Sequence, residues 1–147
     1  MERRLGDAMR ARLPLWAVEF VMFGLKMAWA CLFAGLLLAA IILSALFWPE
    51  GAALARYDAL TLFALLVQGL MLYFRLESWR EAKVILLFHV TGTAMEIFKL
   101  QMGSWSYPEA GWLMLGGVPL FSGFMYASVG SFIARAIRLF DMPFTNY

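Results

Sequence analysis

Residues 29–48 read WACLFAGLLLAAIILSALFW: twenty consecutive positions with no charged side chain and Ser44 as the only hydroxyl. About 20 apolar residues are what a helix needs to cross ~30 Å of hydrocarbon, so this run is read as the heart of a membrane span placed at about 27–48. Its aromatic ends, Trp29 and Trp48, suit the two interfaces. The rest of the 147-residue chain agrees, with 63% hydrophobic and 15% charged residues and a mean hydropathy of +0.76. Soluble domains carry about 45–50% apolar and about 25% charged residues. The expected solvent is therefore the lipid bilayer.

Upstream of that run, the segment MERRLGDAMRAR carries Arg3, Arg4, Arg10 and Arg12, a basic flank for the cytoplasmic side of a first span. Between them, Pro14 fits a helix start, and Glu19 and Lys26 share one helical face. Residues 13–26 fit an N-terminal interfacial helix, or the first part of one long tilted helix. Gly24, Ala28, Cys31, Gly35 and Ala39 recur at helical spacing and would let another helix approach closely. Cys31 reads as a small hydrophobe. As the single cysteine it excludes an internal disulfide.

Downstream, three further spans are expected at about 59–74, 84–102 and 112–134. Asp58, Thr61, Gln68 and Arg75 draw a thin polar line along the second, which should face inward. Arg75, Arg80 and Lys83 with Glu77 and Glu81 form a charged cytoplasmic turn, and Arg135 and Arg138 close the fourth span. Lysine and arginine are scarce on the other side, where only Arg56 and Lys99 fall. The fold class is thus all-α: a polytopic helical membrane protein forming one transmembrane domain over 1–147, with four transmembrane helices and both termini cytoplasmic.

The candidate site lies between 89 and 126. His89, Thr93 and Glu96 stand on one face of the third span, with His89 and Glu96 about 10.5 Å apart along the axis, so Thr93, a water or a substrate could lie between them. Ionisable groups in a span are costly and are normally paired or functional. Lys99 is the expected partner of Glu96, and Gln68 that of His89. Trp105 and Tyr107 form an aromatic loop, and Pro119, after Gly116 and Gly117, is expected to kink the fourth span beside a seam of Gly123, Ala127 and Gly130 near Tyr126. Glu96 and His89 are the candidate catalytic residues; Thr93, Trp105, Tyr107, Tyr126 and Gln68 are the candidate substrate contacts. With one histidine and one cysteine, no metal site and no cofactor are expected. The charge pattern does not support nucleic-acid binding.

The strings EAKVILLFHVTGTAMEIFKLQMGSWSYPE, GGVPLFSGFMYASVGSFIARAIRLFD and FGLKMAWACLFAGLLLAAIILSALFWP closely resemble the bacterial integral membrane family called domain of unknown function 817. The resemblance implies no established activity. It also implies a longer chain, of which this would be the N-terminal half, so a missing C-terminal half or self-association is an expected partner. Glu96, Gly103, Trp105, Tyr107 and Gly117 to Leu120 are also similar to membrane enzymes of carotenoid hydration and cyclisation, which protonate an isoprenoid double bond from an acidic residue. Three functions follow: a membrane-embedded binding or assembly module, an enzyme using Glu96 as an acid on an apolar isoprenoid-like small molecule, or a proton-coupled transporter. Whether the protein is an enzyme stays open at this level.

Overall fold

The computed structural model describes residues 10, 13–49 and 51–142. Most of the basic segment at 1–12, Glu50 of the first turn and residues 143–147 lie outside the described residues. The architecture is all-helical: α1 (Leu15–Ala30), α2 (Leu32–Phe47), α3 (Arg56–Tyr73), α4 (Trp79–Gln101) and α5 (Leu120–Leu139), with a short hairpin of β1 (Met114–Leu115) and β2 (Val118–Pro119) before α5.

Pro14 precedes α1 in an extended conformation, as a fixed φ at a helix start requires. The apolar run that continues from it does not form one straight rod. It breaks at Cys31, and α1 and α2 meet there at 64°. The break falls within the residues expected to begin the first span, later than the expected boundary at 26. It is held from across the fold, because Arg135 of α5 donates from Nη1 to the backbone oxygen of Trp29 at 3.0 Å, beside the interruption.

α4 begins with a capping box. Ser78 accepts from the backbone N–H of Glu81, and the Glu81 carboxylate accepts from the Ser78 N–H at 2.6 Å, which satisfies two donors that a helix start leaves open. Its 23 residues give a rod of about 34 Å.

α5 is the central helix, packing against all four others. Its most apolar stretch is 56% buried, against 22% for α4. Phe33, Leu37, Leu60, Ala64, Val67, Met71, Ile85, Phe121, Phe124 and Ala127 make the core around it. Leu86, Leu87, Val90 and Phe98 on α4, like Leu38, Ile42, Leu43 and Leu46 on α2, point outward, the pattern of helices whose outer solvent is apolar.

α4 and α5 are each long and apolar enough to cross a membrane, and the bent pair α1 and α2 makes a third if taken as one broken span. Four were expected from the sequence. α3, with Arg56 and Asp58 in its first turn, is not among the three.

The expected kink at Pro119 is corrected. Residues 112–119 are not helical: Gly116 and Gly117 take φ of +59° and +82° and turn the hairpin, in which Leu115 pairs with Val118 and Met114 with Pro119. Two successive residues with positive φ form the tight turn that matches strand twist, and glycine adopts both positions without strain. Pro119 then precedes the first residue of α5 rather than interrupting it.

The small-residue stripe on the first helices is also corrected. A Cβ added at Gly24 or Gly35 would meet nothing within 4 Å, so among the described residues no helix packs closely there. Close approach occurs instead between α4 and α5, where a Cβ at Gly92 would strike the Tyr126 side chain, one at Gly123 would strike Thr93 and His89, and one at Gly130 would reach Phe88 at 2.9 Å.

Candidate functional site

α4 carries Glu96 inward, and the carboxylate is almost fully buried. One turn later Lys99 reaches back, with Nζ 3.2 Å from Glu96 Oε1. Past the helix end, Gly103 at φ +70° reverses the chain, and the Ser104 N–H bonds the Lys99 carbonyl at 3.0 Å. A glycine in that conformation just past a helix is the usual way to close one. The reversal lays the aromatic loop over the carboxylate: Trp105 Nε1 donates to Oε2 at 3.1 Å and the Tyr107 hydroxyl to Oε2 at 2.8 Å. From α5, the Tyr126 hydroxyl donates to Oε1 at 2.6 Å while accepting from Lys99 Nζ at 2.8 Å. Tyr126 reaches this position through the space that Gly92 leaves empty.

Four donors therefore converge on one buried carboxylate, and the ionised form is the one they satisfy. Lys99 also lies over two rings, 4.8 Å from the Trp105 centroid and 5.6 Å from that of Tyr126. A cavity of about 330 Å³ opens beside this group, lined by Glu96, Trp105, Tyr107, Met125, Tyr126 and Val129. Burial, and then the neighbouring Glu96 carboxylate, push the Tyr107 hydroxyl up to about 12 from an ordinary value of 10.

The loop itself is fixed from α3. Asp58 is buried at the start of α3, and its two carboxylate oxygens accept from the backbone N–H groups of Trp112 and Leu113, each at 2.8 Å. Arg56 forms a forked pair with Glu109, and Tyr57 packs edge-on against Tyr107, with centroids 5.9 Å apart.

Glu96, Trp105, Tyr107 and Tyr126 thus belong to one group, but Gln68, His89 and Thr93 do not join it. The Thr93 hydroxyl donates to the His89 carbonyl of its own helix at 2.8 Å, so it does not bridge His89 to Glu96. Gln68 does not bond His89 either: its Nε2 donates to Glu77 Oε2. His89 and Gln68 instead line a separate, mainly apolar cavity of about 310 Å³ together with Thr61, Leu65, Ile85, Leu120 and Phe124. His89 Nδ1 has no hydrogen-bond partner among the described residues, and its ring lies 4.4 Å from that of Phe124.

A second polar cluster was not expected from the sequence. Glu77 accepts from Arg135 Nη2 at 2.8 Å and from the Ser131 hydroxyl at 2.6 Å, with both charged side chains only 1% exposed. The sequence alone places Glu77 and Arg135 in cytoplasmic flanks. The available signal was spacing: Ala127, Ser131 and Arg135 recur every four residues on the same α5 face as the small-residue seam. Among the described residues no group of three or more histidine, cysteine or acidic side chains could hold a metal ion.

These features define a class: an all-helical protein with membrane-type helices, in which two buried polar clusters, around Glu96 and around Glu77, lie toward opposite ends of α5. The chain belongs to the family described as protein of unknown function (DUF817), whose model matches residues 19–147. It is 45% identical over 120 residues to the uncharacterized protein YoaT of Bacillus subtilis (strain 168), an alignment that covers 82% of this chain and 45% of that one. The chain thus spans about half the length of this curated relative. No solved structure matches it.

Proposed function

We propose that this chain is a membrane-embedded binding and assembly module of the bacterial inner membrane, with Glu96 as its polar hub. The observation that carries the reading is the convergence of Lys99, Trp105, Tyr107 and Tyr126 on that carboxylate. An acid catalyst must hold a proton and present it to substrate, whereas this carboxylate is surrounded by four donors whose hydrogen bonds its ionised form accepts. The geometry therefore favours a hub that ties α4, the aromatic loop and α5 into one rigid wall over protonation of an isoprenoid.

In this reading the chain crosses the bilayer four times: the bent α1 and α2 pair, then α3, α4 and α5. The 18 residues of α3 would reach about 27 Å, and Arg56 and Asp58 would sit at one interface. Arg75, Arg80, Lys83 and Arg138 at the opposite end support a cytoplasmic placement of that face and of both termini. The outward apolar faces of α1 and α2 are where further chain or a second copy would pack.

The test is Glu96→Gln in the detergent-purified chain. A hub predicts a clear fall in the thermal unfolding midpoint, because a neutral amide cannot satisfy the lysine and three other donors. Unchanged stability in that variant would sink the reading and return the acid-catalyst alternative to first place.

A further inference from the structure

The Glu96 cage already holds a cation, and it is the chain's own. The Lys99 ammonium has a carboxylate oxygen at 3.2 Å, a tyrosine hydroxyl at 2.8 Å, and the rings of Trp105 and Tyr126 at 4.8 and 5.6 Å. Negative charge combined with aromatic faces is the environment that recognises organic ammonium groups. Lys99 fits it only partly. Its side chain is 32% exposed while that of Glu96 is 3%, and a primary ammonium is a compact, strongly hydrated charge that gains less from aromatic faces than an alkylated one.

The cavity beside the cage is what the lysine leaves unused. Its 330 Å³ are walled by the same Glu96, Trp105, Tyr107 and Tyr126, and its remaining wall, Met125 and Val129, lies on the outward surface of α5. An opening with a carboxylate at its inner end and apolar side chains at its rim has the polarity of an amphiphile.

We propose that this cage is a binding site for amphiphilic alkylammonium compounds, whose cationic group replaces the Lys99 ammonium at Glu96 and whose apolar part lies along Met125 and Val129. The exchange swaps one counter-cation for another: Glu96 keeps its charge, Lys99 turns to solvent, and no covalent bond changes. The proposal rests on the reading of the chain as a binding module and names the ligand class. The alkylammonium group can come from a lipid headgroup or from a soluble amine.

Calorimetric titration of the detergent-solubilised chain with butyltrimethylammonium, with 1-pentanol as the uncharged control, tests it. Saturable heat is expected for the cation alone. Lys99→Met, which removes the resident competitor, should tighten binding by about tenfold if the lysine occupies the cage about nine-tenths of the time. Trp105→Leu, with its circular dichroism spectrum compared to wild type as the folding control, should weaken binding several-fold. Repeating the titration in nanodiscs of phosphatidylcholine and of an uncharged galactolipid assigns the source. Weaker apparent binding in phosphatidylcholine supports a headgroup ligand, and equal binding supports a soluble amine. No saturable heat in both wild type and Lys99→Met, or unchanged affinity in Trp105→Leu, overturns the site. A flat titration together with a destabilised Glu96→Gln variant removes the cation site and leaves the hub intact.

Discussion

The Arg135 guanidinium donates to Glu77 Oε1 at 2.8 Å with both side chains 1% exposed, so the two groups form a fully desolvated ion pair between α5 and the α3 to α4 turn. The same guanidinium caps the Trp29 carbonyl at the bend between α1 and α2. One arginine thereby joins three parts of the fold. Removing one member of such a pair leaves a buried charge without compensation, at a cost of about 3–5 kcal/mol. Arg135→Met should accordingly lower stability in detergent denaturation by that order, and adding Glu77→Gln should recover part of the loss. Strict additivity of the two changes would show that the pair is not coupled.

Gly92 and Tyr126 make a second testable relationship. A methyl group at position 92 would overlap the Tyr126 side chain, so Gly92→Ala must push the ring away from Glu96. Overpacking of this kind typically costs about 1–3 kcal/mol. The cost should shrink in a Tyr126→Ala background, where the obstruction is gone. An equal cost in both backgrounds, measured by thermal unfolding, would mean that the glycine matters for another reason.

Asp58 predicts a local effect on the hairpin. Each of its oxygens accepts one backbone N–H, from Trp112 and from Leu113. In Asp58→Asn one acceptor becomes a donor and one buried amide loses its partner, a penalty of about 1–3 kcal/mol. Hydrogen exchange at the Trp112 and Leu113 amides should accelerate while amides in the middle of α4 change little.

Tyr107 gives a pH signature outside the helices. Its hydroxyl titrates at about 12 in the folded protein, raised from 10. The unfolded chain therefore loses this proton first on alkalinisation. The stabilisation is fully present below pH 10 and is lost as pH rises from there through about 12, the direction set by proton linkage. Thermal midpoints of wild type and Tyr107→Phe should run parallel below pH 10 and converge above it. A constant gap through that window would refute the assignment.

The pairing of Glu96 with Lys99 was legible because three residues along a helix place two side chains on one face, and a charge among apolar neighbours needs a partner. Trp105 and Tyr107 were legible as a loop over it, since Gly103 and Pro108 bracket them. The separation of His89 and Gln68 from Glu96 was not legible. Positions on one helix face show which way a group points but not which partner it meets: Gln68 is taken by Glu77, nine positions on in the turn that follows its own helix.

The sequence by itself determined the helical character of this protein and the presence of helices apolar enough to cross a membrane, because hydropathy and the cost of an unpartnered backbone in lipid act residue by residue. It also placed the break of the fourth apolar stretch near Gly116 to Pro119, though as a kink. Only the tertiary structure decided that this stretch folds back as a hairpin held by Asp58, that the first apolar run bends at Cys31 against Arg135, and that the polar residues divide into two clusters. The Asp58 and Arg135 anchors among them join residues 54 and 106 positions apart in the chain. Such contacts exist only once α5 is packed at the centre, where each buried donor must find whichever acceptor the neighbouring helices present.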